Sequence, residues 1–354
     1  METAYMRIGL TVAAMLCCGL PARAEVSGAV IAEQFAIPAL TALEGVATAA
    51  DAQIGELCAA PSTEALDAAR LGFGGLVAAW GRVSVLRFGP LASDSRFEKL
   101  FFWPDPRGIA LRQVQGLLAE ADMAALADGV GGKSAALQGI PALEFMLFGT
   151  GAESLATPEG AFRCTFAQAL ARNIAGLASE VRSGWSEGGF VDSFRQPAPG
   201  GEPYRSAAEV DGEIIKAFST VFQYVRAAEL LPAMGETIEK ANGRRAPLWR
   251  SRLTFDLMLA QTEGAQALLA IAGYAENLPA DSRYIADSIR FELANAARML
   301  AAIEQPPEVA FGNEADRQRL TIVDLSLDHA GHLVAENLSA ALGLTMGFNA
   351  LDGD

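Results

Sequence analysis

The feature that most constrains this chain is the recurrence of apolar residues at intervals of three and four, with few stretches that alternate. Ile214, Phe218, Val221 and Val225 follow one another at offsets of four, three and four, which puts all four side chains on one helical face. A first helix is expected from near Val30, carrying Ile31, Phe35, Leu40, Leu43, Val46 and Ile54, with a kink or a short separate helix at Pro38. Pro61-Ser62 opens a second helix that carries Leu66, Leu71, Phe73, Leu76, Val77 and Trp80 and ends near Gly89-Pro90. Asp105, followed by Pro106, reads as the N-cap of a helix through Leu111, Val114, Leu117 and Leu118. Ser95 and Glu98, and again Ser206 and Glu209, have capping-box spacing. Further helices are expected at about Phe162–Val181, Ser251–Ala272, Asp281–Ile303 and Asn313–Leu342. Strand–helix alternation is missing, which argues against a parallel α/β sheet. The predicted fold is all-α: two four-helix-bundle-like domains side by side, residues 25–194 and 207–354, joined by the Pro- and Gly-rich linker 195–206.

A net charge of −15 argues against a nucleic-acid partner, which requires a basic face. The N-terminus reads as a secretory signal: Arg7, the apolar stretch Ile8–Leu20, and Ala22-Arg23-Ala24 as a cleavage site before Glu25. Ala14-Met15-Leu16 ahead of Cys17 is a poor lipoprotein site, so cleavage after Ala24 and a periplasmic address are expected. No membrane-spanning segment is expected in the mature chain. Cleavage removes Cys17 and Cys18 and leaves Cys58 and Cys164. In an oxidising compartment these permit one intrachain disulfide, which is predicted; the alternative is two buried thiols.

The candidate chemistry centres on the run Leu137–Gly149, "LQGIPALEFMLFG". Glu144 is its one charged residue, and a carboxylate among apolar neighbours must find a cation, a metal or hydrogen-bond donors, or hold its proton. Arg87, Arg96 and Arg112 are its candidate partners. His329, His332 and Glu336 share one face of the last helix at a spacing that could hold a metal, although an outward polar face is commonly just solvated. Trp80, Phe101, Phe102 and Trp103 either line a pocket or pack between helices. Asn349, Asp352 and Asp354 offer oxygens to a cation or simply solvate the tail. No Gly-x-Ser-x-Gly elbow is present to support a serine nucleophile.

Taken together, "RFGPLASDSRFEKLFFWPDP" (Arg87–Pro106), "LQGIPALEFMLFG", "FRCTFAQALARN" (Phe162–Asn173) and the terminal "LGLTMGFNALDGD" resemble the imelysin family of bacterial envelope proteins. The resemblance implies two helical bundles, a link to iron uptake for part of the family, and metallopeptidase activity for another part. Its motif is Gly-x-His-x-x-Glu; Gly139 and Glu144 match it, while Pro141 stands where the family has His. Histidine three residues before glutamate shares a helical face and can share a metal, whereas proline offers no lone pair. The motif positions and the Arg87–Pro106 segment, with Asp94 and Arg96, together with Arg112 and Trp80, form the candidate ligand site. The expected function is a non-catalytic binding component of envelope iron or metal uptake, its ligand a metal ion or small molecule held between the bundles. The alternatives are a divergent zinc metallopeptidase, with Glu144, His329, His332 and Glu336 as metal ligands, and a structural partner of a membrane transporter. Iron or zinc is the implied cofactor.

Overall fold

A computed structural model describes residues 27–344. The expected signal sequence and the tail residues Asn349, Asp352 and Asp354 lie outside the described residues. Among those described there are helices and connecting turns and no strand. The principal helices are α1 (Gly28–Ala59), α2 (Thr63–Val83), α3 (Ile109–Glu120), α4 (Ile140–Phe148), α5 (Ala161–Ser186), α6 (Ala207–Tyr224), α7 (Thr254–Ala272), α8 (Arg283–Ala301) and α9 (Glu314–His332).

Local chemistry explains most of the boundaries. Ser62 caps α2 by accepting from the Ala65 N–H at 3.1 Å, and Ser206 caps α6 by accepting from Glu209 at 3.4 Å. Asp105 holds the start of α3 from four residues upstream, its two oxygens accepting from Ile109 and Ala110 at 2.8 Å each. Ser95 departs from expectation. Its backbone is left-handed (φ 55°) and its side chain makes no capping bond, while Glu98 pairs with Arg87 instead. Pro38 does not break α1. The chain widens into a π turn at Ala32–Ala36, where the Ile37 N–H reaches the Ala32 carbonyl, and then continues. The same device precedes Pro232: α6 runs on through a π turn at Val225–Leu230, and the Leu231 N–H bonds to Arg226. Both of these π turns reroute the ladder just before a residue that has no N–H to give.

α1 packs against both α2 and α5, and α4 lies across α5 and α2. In the second group α8 packs against α7 and α9, and α6 lies along α9. The groups meet where α2 crosses α7. There a Cβ on Gly81 would stand 2.6 Å from the Ala260 Cβ, and one on Gly264 would stand 2.3 Å from the Arg82 carbonyl oxygen. Only glycine permits so close an approach, and one apolar core runs through both groups. The segment expected as a linker is docked at Tyr204, whose ring packs on Phe190 and Phe194 and whose hydroxyl donates to Glu213 at 3.2 Å. By length and composition α1 could cross a bilayer, yet Leu40, Leu43, Ala47, Ile54 and Leu57 along it are buried in the core.

Cys58 and Cys164 form the expected disulfide, with Cα atoms 5.5 Å apart, fastening the last turn of α1 to the first turn of α5. The bond closes a loop of 106 residues. Chain-entropy arguments give such a crosslink about 4–5 kcal/mol. The Cys58→Ala/Cys164→Ala variant is expected to lose stability of that order in urea unfolding, with its helical signal retained.

Glu229, in the second π turn, is fully buried and accepts from the Gln261 side chain at 3.0 Å. Burial raises its carboxyl pKa from 4.5 to about 8, opposed by the Gln261 bond. Between those values the native state keeps a proton that the unfolded chain has released, so folding weakens as pH climbs from about 4.5 to about 8. Glu229→Gln is expected to flatten that slope and to exceed the parent in stability above pH 8, which melting curves across the range will show.

Candidate ligand site at Glu144

α4 is buried on almost every side: Ile140, Ala142, Leu143, Glu144, Phe145, Met146 and Leu147 are all buried. It contributes no charge but Glu144. Gly139 precedes it because the chain passes the 99–100 backbone closely; a Cβ there would lie 2.4 Å and 2.3 Å from the Lys99 and Leu100 carbonyl oxygens. Pro141 occupies the first turn, where an N–H would have no intrahelical partner. At the other end, Arg163 from α5 donates to the carbonyls of Phe145 (3.1 Å), Met146 (2.8 Å) and Thr150 (2.5 Å). The guanidinium thus satisfies the last carbonyls of a helix that water cannot reach.

Glu144 is 3% exposed. Its Oε1 accepts from both the backbone N–H and the hydroxyl of Ser251, each at 2.9 Å. Burial pushes its pKa up; the Ser251 N–H, the Arg250 charge, the Ser251 hydroxyl and the Arg250 N–H pull it back. The arginines expected beside it are engaged elsewhere. Arg87 pairs with Glu98 at 3.0 Å and lies on the Phe97 ring, 4.0 Å from its centroid. Arg96 bridges Glu180 at 2.9 Å and the exposed Asp94 at 3.0 Å. Arg112 turns back to the Arg107 carbonyl. Each of these reaches an acceptor on its own side of the fold, and the face of α4 that carries Glu144 meets residues 244–252 instead.

Glu144 and Pro141 open onto a cavity of about 170 Å³ between the two helix groups. Phe102, Trp103 and Phe145 line it from the first group, and Trp249, Arg244 and Arg250 from the second. Trp103 is fastened from both sides: its indole N–H donates to the Ala228 carbonyl and its own carbonyl accepts from the Tyr224 hydroxyl, each at 2.8 Å. Trp80 and Phe101, by contrast, are core residues stacked on each other with centroids 5.8 Å apart. The opposite wall is a tight coil in which Leu248 (φ 53°) and Arg252 (φ 64°) adopt the left-handed conformation without being glycine. Each such residue costs about 1–2 kcal/mol, and here the coil is held by Thr254 donating to the Pro247 carbonyl at 2.6 Å and by Ser251, whose N–H and hydroxyl are bonded to Glu144. Inspection of the sequence passed over this coil. Its signal was present: Arg244, Arg245, Arg250 and Arg252 fall within nine residues around Trp249, in a chain of strongly acidic balance.

The four expected metal ligands do not converge on one point: the His329, His332 and Glu336 face stands apart from Glu144. His329 contacts Glu292 at 2.8 Å, and His332 contacts Glu336 at 3.2 Å with both side chains exposed. Neither histidine lines the Glu144 cavity. Among the described residues no three His, Cys, Asp or Glu side chains converge as a metal site. The α9 face carries its histidines outward because Leu320, Val323 and Leu327 take the inward positions.

This all-α arrangement, with a motif helix buried between two helix groups, is that of a known family. The imelysin family model matches residues 36–332, and the chain belongs to the imelysin family. It is similar in fold to an imelysin-like protein from Psychrobacter arcticum 273-4, with 20% identity and a TM-score of 0.70 over 90% of this chain and 95% of that one. It is similar also to a protein of Parabacteroides distasonis ATCC 8503 assigned as an iron-regulated protein A precursor, with 12% identity and a TM-score of 0.70 over 89% and 92% of the two chains. No curated protein matches it.

The Glu144–Ser251 pair spans 107 positions in the sequence and ties the two helix groups. Glu144→Ala leaves the part-buried Ser251 N–H without its acceptor, a loss of about 1–3 kcal/mol. A double-mutant cycle with Ser251→Ala is expected to give a coupling energy of about 1–3 kcal/mol in urea unfolding.

Proposed function

We propose that this imelysin-family protein is a non-catalytic binding component of the cell envelope that serves iron or other metal acquisition, with its ligand held in the Glu144 cavity. The observation that carries the reading is a buried carboxylate at the floor of a preformed, aromatic-walled cavity between two helix groups, where small-molecule sites commonly lie. The iron-regulated designation of the Parabacteroides relative supports the physiological setting. Zinc or iron as a resident catalytic metal does not suit this lining. Pro141 offers no ligand, Glu144 is bonded to Ser251, and Arg244 and Arg250 place positive charge on the same cavity. Hydrolytic chemistry on the family's metal pattern therefore has no support from these side chains.

The test is extraction of protein purified from the envelope fraction, with mass spectrometry for released small molecules and elemental analysis for metals. Wild type is expected to carry about one ligand per chain and Glu144→Gln to carry markedly less, with no cleavage of a denatured protein substrate. Stoichiometric zinc together with chelator-sensitive cleavage would overturn the reading.

A further inference from the structure

Resting on the proposed binding role, a second set of observations bears on what the ligand is. Most arginines of this acidic chain are bonded: Arg70 to Glu153, Arg82 to Glu263, Arg195 to Glu33, and Arg226 to Asp324 and Asp328. Arg244 and Arg250 differ. Among the described residues neither closes an ion pair or donates a side-chain hydrogen bond; both lie instead on the Trp249 ring, with guanidinium carbons 5.2 Å and 4.4 Å from its centroid. Arg250 also stands 5.2 Å from the Phe145 centroid, against α4. Burial and the neighbouring Arg244 lower its pKa, partly opposed by Glu144. Two like charges are thus brought together over one aromatic ring, Arg250 partly stripped of water and Arg244 exposed.

The acids on the cavity do not relieve them. Both Asp105 oxygens are committed to the N-terminus of α3. Glu144 is held by Ser251, and burial favours its neutral form. Two guanidinium groups with free donors, beside an acid that is already bonded, are complementary to an incoming oxyanion and repel a bare cation. The remaining wall of Phe102, Trp103, Pro141 and Trp249 is flat and apolar. A cavity near 170 Å³ has the scale of sites that take a single aromatic ring.

We infer that the Glu144 cavity binds an organic carboxylate with a flat apolar body, its carboxylate received by Arg250 and Arg244 and its body laid against Trp249, Trp103 and Pro141. In metal supply, the protein would then recognise the acidic molecule that carries the metal and not the naked ion. The left-handed Leu248 and Arg252 on either side of Trp249 and Arg250 fit this role, since backbone strain is often retained where a coil must present side chains to a ligand.

The probe is benzoate, with benzamide as its uncharged counterpart, followed by calorimetry and by the fluorescence of the cavity tryptophans. Wild type is expected to bind benzoate saturably at up to millimolar concentration and benzamide at least about tenfold more weakly. Arg250→Gln is expected to reduce benzoate affinity about tenfold or more, and Arg244→Gln, at an exposed position that folding does not need, severalfold. Both variants should leave benzamide affinity unchanged. Arg298→Gln, whose guanidinium donates to Asn295 and does not line the cavity, should match wild type. Equal binding of the two probes, benzoate affinity indifferent to both cavity arginines, or no saturable benzoate binding by wild type would overturn the inference. None of these results bears on whether an extracted ligand depends on Glu144, so the binding role stands or falls separately.

Discussion

The approach of α2 to α7 governs much of this molecule. Gly81 and Gly264 let the two backbones come within contact distance, and that crossing seats the second helix group on the first. From it follows the position of residues 244–252, which lead into α7 and so reach the face of α4. A side chain at either glycine would clash with the facing helix and force the two groups apart at this crossing. The packing of the two groups and the geometry of the site are consequences of the same seam.

Against that seam, α4 is an unusual helix to bury. It lacks a polar face, so the burial that stabilises it must be total, and its two ends cannot be left to water. Gly139 lets the entry pass the 99–100 backbone, and Arg163 takes up the carbonyls at the exit. The lone acid is answered by Ser251 from the other group. Of the four solutions open to an acid in apolar surroundings, this chain combines hydrogen-bond donors with a raised pKa; a close ion pair is not used. Pro141 suits that arrangement, because its ring extends the apolar wall at the position where the family pattern has a histidine.

Periodicity made the helices legible, since the offsets of Ile214, Phe218, Val221 and Val225 admit one regular structure only. Ser62 and Ser206 were legible as caps because capping is local, and Cys58–Cys164 because two cysteines allow one intrachain pairing. Ser95 defeated the same local rule: its left-handed backbone points the side chain away from the N–H it would cap, and nothing in the spacing shows a backbone dihedral. The partner of Glu144 was illegible for a different reason. Arg87, Arg96 and Arg112 are close in sequence to the motif segments, but the donor lies 107 positions away in a coil with no periodic signal. Only the packing of α2 on α7 brings it there.

That coil also shows how charge is read in an acidic chain. Against an excess of carboxylates an arginine has many acceptors, and Arg96 and Arg226 each find two. Arg244 and Arg250 instead share an aromatic ring, in a segment that also sustains two left-handed non-glycine residues. Solubility does not require this, because exposed arginines would serve as well. Stability does not benefit, because pairing the guanidinium groups or replacing them with apolar side chains would relieve the repulsion. What the arrangement does provide is two guanidinium groups on one cavity of a single ring's width, Arg250 partly desolvated and Arg244 exposed. Under the inferred carboxylate binding, the missing negative charge arrives with the ligand, and these arginines are the residues on which selectivity would turn.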